Sequence, residues 1–207
     1  MIKRGIQALA GLMMFTASPA YSQVVLTENF NSGFGLFTPT GSVAVANGNA
    51  YIPCCGTSGT AVNMTNNFVA FGGGDQPSGS IMSTQFNTVL GQLYSLSFDY
   101  GALGPAVGET LTFTIASSAG SVSVPLFAAT DNNLNTTFDN FIYNFTGSGF
   151  STSLSFFSGG VASADSILDN VVISAVPELE VWAMMLFGFG AVGLQMRRRR
   201  TLQAVTA

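Results

Sequence analysis

Apolar and polar residues alternate one by one through most of this chain, and that period builds strands and little else. In YSLSFDY the residues Tyr94, Leu96, Phe98 and Tyr100 share one face, with Ser95, Ser97 and Asp99 on the other. TLTFTIA sets Leu111, Phe113 and Ile115 against threonines, and SVSVPLF sets Val122 and Val124 against serines, with Pro125 marking an edge or a bulge. FIYNFTG, STSLSFFS and SILDNVVIS continue the pattern, and turn clusters such as NSGFG and FGGGDQPSG separate the runs. No helical stripe of useful length interrupts them. Short strands with polar outer faces predict an all-β fold, a single β-sandwich or barrel over residues 23–175 whose core is drawn from the internal phenylalanines.

Charge narrows the chemistry. All six basic residues lie at the extremes, Lys3 and Arg4 at the start and Arg197, Arg198, Arg199 and Arg200 near the end, and the chain has no His. The body carries eight carboxylates, Glu28, Asp75, Asp99, Glu109, Asp131, Asp139, Asp165 and Asp169, with no side-chain cation to pair them. Such a body does not neutralise phosphates, which excludes nucleic acid as a partner. Its buried carboxylates need backbone N–H groups, water or a metal ion. Without His there is no Ser-His-Asp site, no His metal site and no base for a cysteine nucleophile. Paired carboxylates for glycoside hydrolysis, Asp99 with Glu109 or Asp139, are the one catalytic option left, and exposed carboxylates on outer strand faces account for the same residues. Gly72–Gly74 lack a following Lys and read as a turn. Cys54 and Cys55 are adjacent, which leaves a vicinal disulfide, bridges to another chain, or two unpaired thiols. Tyr51, Tyr100 and Tyr143 are the aromatic platforms available for a sugar, and Asn63, Asn135 and Asn144 open N-x-Thr acceptor patterns.

The two ends read as membrane address segments. Lys3 and Arg4 precede an apolar run, Gly5–Phe15, too short to span a bilayer, and small residues at Ala20 and Ser22 place cleavage before Gln23. Residues 1–22 are therefore expected to be a signal peptide. Val181 to Met196 is 16 residues with only Gln195 clearly polar. As a helix it reaches about 24 Å, short of the ~30 Å hydrocarbon core by an amount that thinning and snorkelling absorb. Trp182 suits one interface, and Arg197–Arg200 stop transfer on the cytoplasmic side, which puts the body outside.

The segment VPELEVWAMMLFGFGAVGLQMRRRR resembles the PEP-CTERM sorting signal of Gram-negative bacteria, in which a Pro-Glu-Pro motif, an apolar helix and an arginine cluster close the chain. Pro177 and Glu178 fill the first two motif positions, and Leu179 replaces the second proline. The resemblance implies processing of residues 176–207 by an exosortase-like membrane enzyme, and delivery of the product to the cell surface or the extracellular polysaccharide matrix. A second resemblance lies in the body. VLTENFNSG, GQLYSLSFDYGA and DSILDNVVIS are similar to the opening, central and closing strands of galactose-binding-like jelly rolls. Many of those are carbohydrate-binding modules, and many hold a structural calcium ion, which makes Glu28 and Asp169 the expected ligands. The two resemblances together imply an exported, non-enzymatic protein with a structural or adhesive role in exopolysaccharide or biofilm. The alternative is a secreted carbohydrate-binding or carbohydrate-active protein using paired carboxylates.

Overall fold

Strand pairing follows the alternation. The computed structural model describes residues 23–47, 66–72, 79–103, 108–127, 130–131, 138–159, 164–177 and 185–193. Among them the strands run β1 (Val24–Glu28), β2 (Phe37–Gly41), β3 (Val43–Asn47), β4 (Asn67–Phe71), β5 (Gly79–Ser83), β6 (Phe86–Asn87) and β7 (Leu93–Leu103). They continue as β8 (Thr110–Ser117), β9 (Gly120–Phe127), β10 (Thr130–Asp131), β11 (Asp139–Thr146), β12 (Ser151–Ser158) and β13 (Asp165–Ala175). They form two sheets, one of seven strands and one of six. In the first, β7 and β13 lie at the centre, with β4 and then β3 beyond β13, β1 also on β13, and β10 and β11 along the far side of β7. The second runs β2, β5, β12, β8, β9, with β6 also on β12. The first and last strands of the body are antiparallel neighbours, Leu26 opposite Ile173 and Glu28 opposite Val171.

The core lies between the sheets and is filled from both by the residues the alternation marks. Leu96 and Phe98 of β7, Leu111 and Phe113 of β8, and Leu154 and Phe156 of β12 are fully buried. Phe98 is the hub: its ring meets Phe156 at 5.0 Å, Phe141 at 5.4 Å and Phe113 at 5.7 Å between centroids. Tilted and edge-on aromatic pairs of this kind add to the gain from burying their area.

Two expectations change. The outer faces are polar apart from exposed apolar residues such as Ile142 and Phe157, and β13 departs further from the pattern, with Asp165–Asp169 buried throughout. Phe68, Ala70, Leu103 and Ile167, with Phe138 laid against them, make a second small apolar cluster there. A strand covered on both faces loses its alternation. At the C-terminus the expected transmembrane helix 181–196 is present as helix 185–193, exposed on nearly every residue. Among the described residues no helix is long and apolar enough to cross a membrane. Residues 181–184 and 194–196, and the signal peptide expected at 1–22, lie outside the described residues. Ser22–Val176 forms one unit, and Pro177 onward belongs to another.

Candidate functional site

The sandwich carries two distinct polar regions. The first is a seam where β13 changes partner. Ser166–Leu168 pair with β4, whereas Val171–Ser174 pair with β1. Between them the register to β7 slips, and Asn170 takes φ 51°, a left-handed conformation that Asn adopts more readily than most residues. Asp169 and Asp99 sit directly opposite across the β13–β7 pair.

With no cation in the body, these carboxylates are held by N–H groups. Asp169 is 1% exposed, and it accepts from the Asn66 amide at 2.8 Å and from the Asn170 backbone at 2.8 Å. Burial pushes its carboxyl up to about 6, and the charge of Asp99 adds to the rise, against the lowering effect of those two hydrogen bonds. Asp99 accepts from the Asn140 and Asn170 amides at 2.8 Å each, which ties β11, β7 and β13 together. Glu28 accepts from the backbone N–H groups of Phe30 and Leu36, both at 3.0 Å, and of Asn29 at 3.1 Å. It thereby organises the loop from Asn29 to Leu36. That loop holds Phe30 at φ 54° and brings Gly35 so close that a Cβ there would stand 1.7 Å from a Glu28 oxygen. Glu109, fully buried, accepts from the hydroxyls of Ser158 and Ser166.

The expected calcium ligands are therefore not gathered into a cage. Glu28 and Asp169 each face N–H donors, and among the described residues no group of three or more His, Cys, Asp or Glu side chains is placed to hold a metal ion. The acid–base pairs do not form either. Asp99 shares its row with Asn140 and Asp139 shares its row with Tyr100, so the two carboxylates point to opposite faces of one sheet. Glu109 stands beside β8 in the other sheet and is sealed from solvent. The Tyr100 hydroxyl is pushed above its ordinary range by burial and by the charge of Asp139.

The second region is a cleft of about 520 Å³ at one open edge of the sandwich, between β11 of the first sheet and the β8–β9 hairpin of the second. Strand alternation builds its floor. Tyr143 and Phe145 point inward from β11, where they pair with Leu96 and Tyr94. Ile115 opposes Val122 across the hairpin. At the edge the two layers do not close over these residues, so Tyr143 and Phe145 remain half-exposed. Phe113 meets the Tyr143 ring at 5.2 Å and Tyr94 stacks on Phe145 at 5.4 Å, which fixes both rings. Hydroxyls and an amide form the rim, Ser117, Ser121, Asn144, Thr146 and Ser148, and the buried Thr152 also lines the cleft. Among the described residues, no protein group bonds the side chains of Ser121, Tyr143, Asn144 or Thr146, and no charged group lines the cleft.

Of the tyrosines considered from the sequence, Tyr143 lies in this cleft, Tyr100 is packed against the core, and Tyr51 lies outside the described residues. Cys54, Cys55, Asn63, Asn135, Glu178, Trp182 and Arg197–Arg200 also lie outside them, and Pro177 is half-buried. Asn144 is exposed on the cleft rim. Sequence reasoning missed the asparagines that neutralise the seam, and it missed the serines of the hairpin as a rim. Period-two alternation does put Tyr143 and Phe145 on one face, but it does not say that this face ends at an open edge.

No protein-family profile matches the chain, and no curated protein matches it. Solved structures share its fold. The CBM22-1 xylan-binding domain of Paenibacillus barcinonensis Xyn10C is similar over 78% of this chain and 99% of its own, with TM-score 0.53 and 14% identity. The K3 cleaved adhesin domain of Lys-gingipain from Porphyromonas gingivalis W83 is similar over 74% of this chain and 99% of its own, with TM-score 0.50 and 18% identity. At these identities the likeness establishes the fold alone, a two-sheet β-sandwich.

Proposed function

We propose that this protein is a non-catalytic carbohydrate-binding module that takes a neutral polysaccharide in the edge cleft. The observation that carries the proposal is the make-up of that cleft: an aromatic and aliphatic floor, a rim of hydroxyls and an amide, and no charge. The C–H faces of a sugar ring pack on aromatic side chains, and its hydroxyls satisfy polar groups that find no partner inside the protein. The absence of a carboxylate from the lining argues against glycoside hydrolysis there. The fold shared with a xylan-binding domain and with an adhesin domain supports the reading.

The C-terminal segment supplies the cellular setting. With its apolar helix, its arginines and its likeness to a sorting signal, it supports export of the body, passage through the membrane, processing by an exosortase-like enzyme and a final place on the cell surface or in exopolysaccharide. Carbohydrate binding is the means by which such a protein would hold to that matrix.

Retention of the purified full chain on insoluble neutral polysaccharides, xylan and β-1,4-galactan among them, tests the binding. Retention should persist at high salt, because no ion pair contributes. Tyr143→Ala should release the protein while it still melts cooperatively. If no neutral polysaccharide retains the chain, or if Tyr143→Ala binds as well as the parent, the reading fails.

A further inference from the structure

The two ends of the sandwich differ in charge. Seven of the body's eight carboxylates are described, and strand register puts all of them level with β7 from Ser97 onward. Asp169 lies opposite Asp99, Asp139 opposite Tyr100, and Asp131 and Asp165 opposite Leu103. Glu28 pairs with Val171, between the Ser97 and Asp99 levels, and Glu109 bonds Ser166, which faces Ala102. Among the described residues the near end, around Leu93, carries no charge. It carries apolar side chains instead. Val89 (65% exposed) and Leu90 (77%) stand on the turn between β6 and β7, and Phe150 (53%) on the turn before β12. Turns ordinarily take Gly, Pro, Asn, Asp or Ser at such places. Hydrogen bonds join the two turns into one platform. The Gly91 N–H donates to the Gly147 carbonyl at 3.0 Å, the Thr88 N–H to the Phe150 carbonyl at 3.4 Å, and the Val89 N–H to the Tyr94 hydroxyl at 2.9 Å. Val89, Leu90 and Phe150 do not line the cleft.

The chain leaves the body at this same end. The Val176 N–H donates to the Leu93 carbonyl at 2.8 Å, and the Gln92 side-chain amide donates to the Val176 carbonyl at 2.7 Å. Only residues 177–180 then separate Val176 from the apolar segment 181–196. Fully extended, that linker reaches no more than about 18 Å. From this we infer that Val89, Leu90 and Phe150 form a lipid-contacting surface, by which the sandwich rests its uncharged end on the bilayer that takes the C-terminal segment. The inference rests on the reading that this segment enters a membrane. Three features select a lipid surface as the occupant. The short linker keeps the platform within reach of the bilayer. Apolar side chains at the tip of a turn gain by entering the boundary between headgroups and acyl chains. The carboxylates, which anionic headgroups repel, begin four residues along β7 from Leu93, about 13 Å away, which exceeds the Debye length of about 8 Å at physiological salt.

Tryptophan fluorescence tests it, with the full chain reconstituted in phosphatidylcholine–phosphatidylglycerol vesicles with or without bromine on the acyl chains. Bromine quenches only an indole that reaches the acyl region. In the parent the sole tryptophan is Trp182, and its quenching reports entry of the tail. In a Trp182→Phe background, Leu90→Trp and Phe150→Trp should each be quenched and shifted to the blue. Phe127→Trp, exposed beside Thr110 at the charged end, should be neither. All three positions are exposed, so each variant should still melt cooperatively. If Leu90→Trp and Phe150→Trp emit unquenched while Trp182 is quenched, the inference falls and the membrane reading stands. If they are shielded from aqueous acrylamide yet unquenched by bromine, a protein covers the platform, a second copy included, and the inference falls equally. Quenching of Phe127→Trp to the same extent also overturns it, because the body then has no preferred end. An unquenched Trp182 in the parent removes the membrane reading and the inference with it.

Discussion

The seam at β13 and the cleft at β11 are both polar, yet they use polarity in opposite ways. At the seam every carboxylate described is met from within: Asp169 by Asn66 and Asn170, Asp99 by Asn140 and Asn170, Glu28 by three backbone N–H groups. In the cleft the hydroxyls of Ser121, Tyr143 and Thr146 have no protein partner among the described residues. Polar groups satisfied internally hold a fold in one shape, whereas groups left open to water are available to a ligand. Damage to the seam should therefore show as lost stability, and damage to the cleft as lost binding.

The largest effect should come from Glu28. Glu28→Ala leaves the N–H groups of Asn29, Phe30 and Leu36 without their charged acceptor and should cost about 2–3 kcal/mol in urea unfolding. Glycan retention by the folded fraction should be unchanged; a parallel loss of affinity would erase the distinction between the two regions.

Asp169 comes next, through pH. Its carboxyl titrates at about 6 in the folded chain, against 3.8 ordinarily, so between those values the folded state binds more protons than the unfolded one. Stability should therefore rise as pH falls from about 6 to about 4, by on the order of 1–3 kcal/mol, and level off above and below. Asp169→Asn should flatten that slope, with Asn66 turning its amide to suit. Thermal melts across the range decide the matter, and a variant with the parent's slope would move the origin of the effect to another group.

Smaller effects belong to the cleft. Tyr143→Phe keeps the ring and its contact with Phe113 and removes one hydrogen-bonding group, so affinity for a retained glycan should fall by about 0.5–1.5 kcal/mol with no change in melting. Isothermal titration with a soluble oligosaccharide measures it. Ser121→Ala should weaken binding by less than about 1 kcal/mol, because an exposed rim hydroxyl exchanges one water contact for another. A loss of stability from either cleft variant would count against the division.

The sandwich was legible because alternation is a local signal: Leu96 and Phe98, Leu111 and Phe113, Leu154 and Phe156 each declare their inward face within a few residues. The opening and closing strands were marked by resemblance, and they are β1 and β13, which lie side by side. Pro125 announced an edge, and β9 is one. Other features were not local. Asn66 and Asp169 are far apart in sequence and meet only because β4 and β13 pair, so no spacing rule links them. The burial of β13 on both faces depends on Phe138 and Phe68 arriving from other segments. The cleft exists because two edges stop short of covering Tyr143, a property of sheet width that no single strand reveals.

The lack of cations in the body has one more consequence. From Gly5 to Met196 there is no lysine or arginine. An endopeptidase that cuts only after those residues finds no bond to cleave anywhere in the sandwich, folded or unfolded. Reagents that seek primary amines find no lysine there either. Durability of this kind comes from composition, before any contribution from the fold.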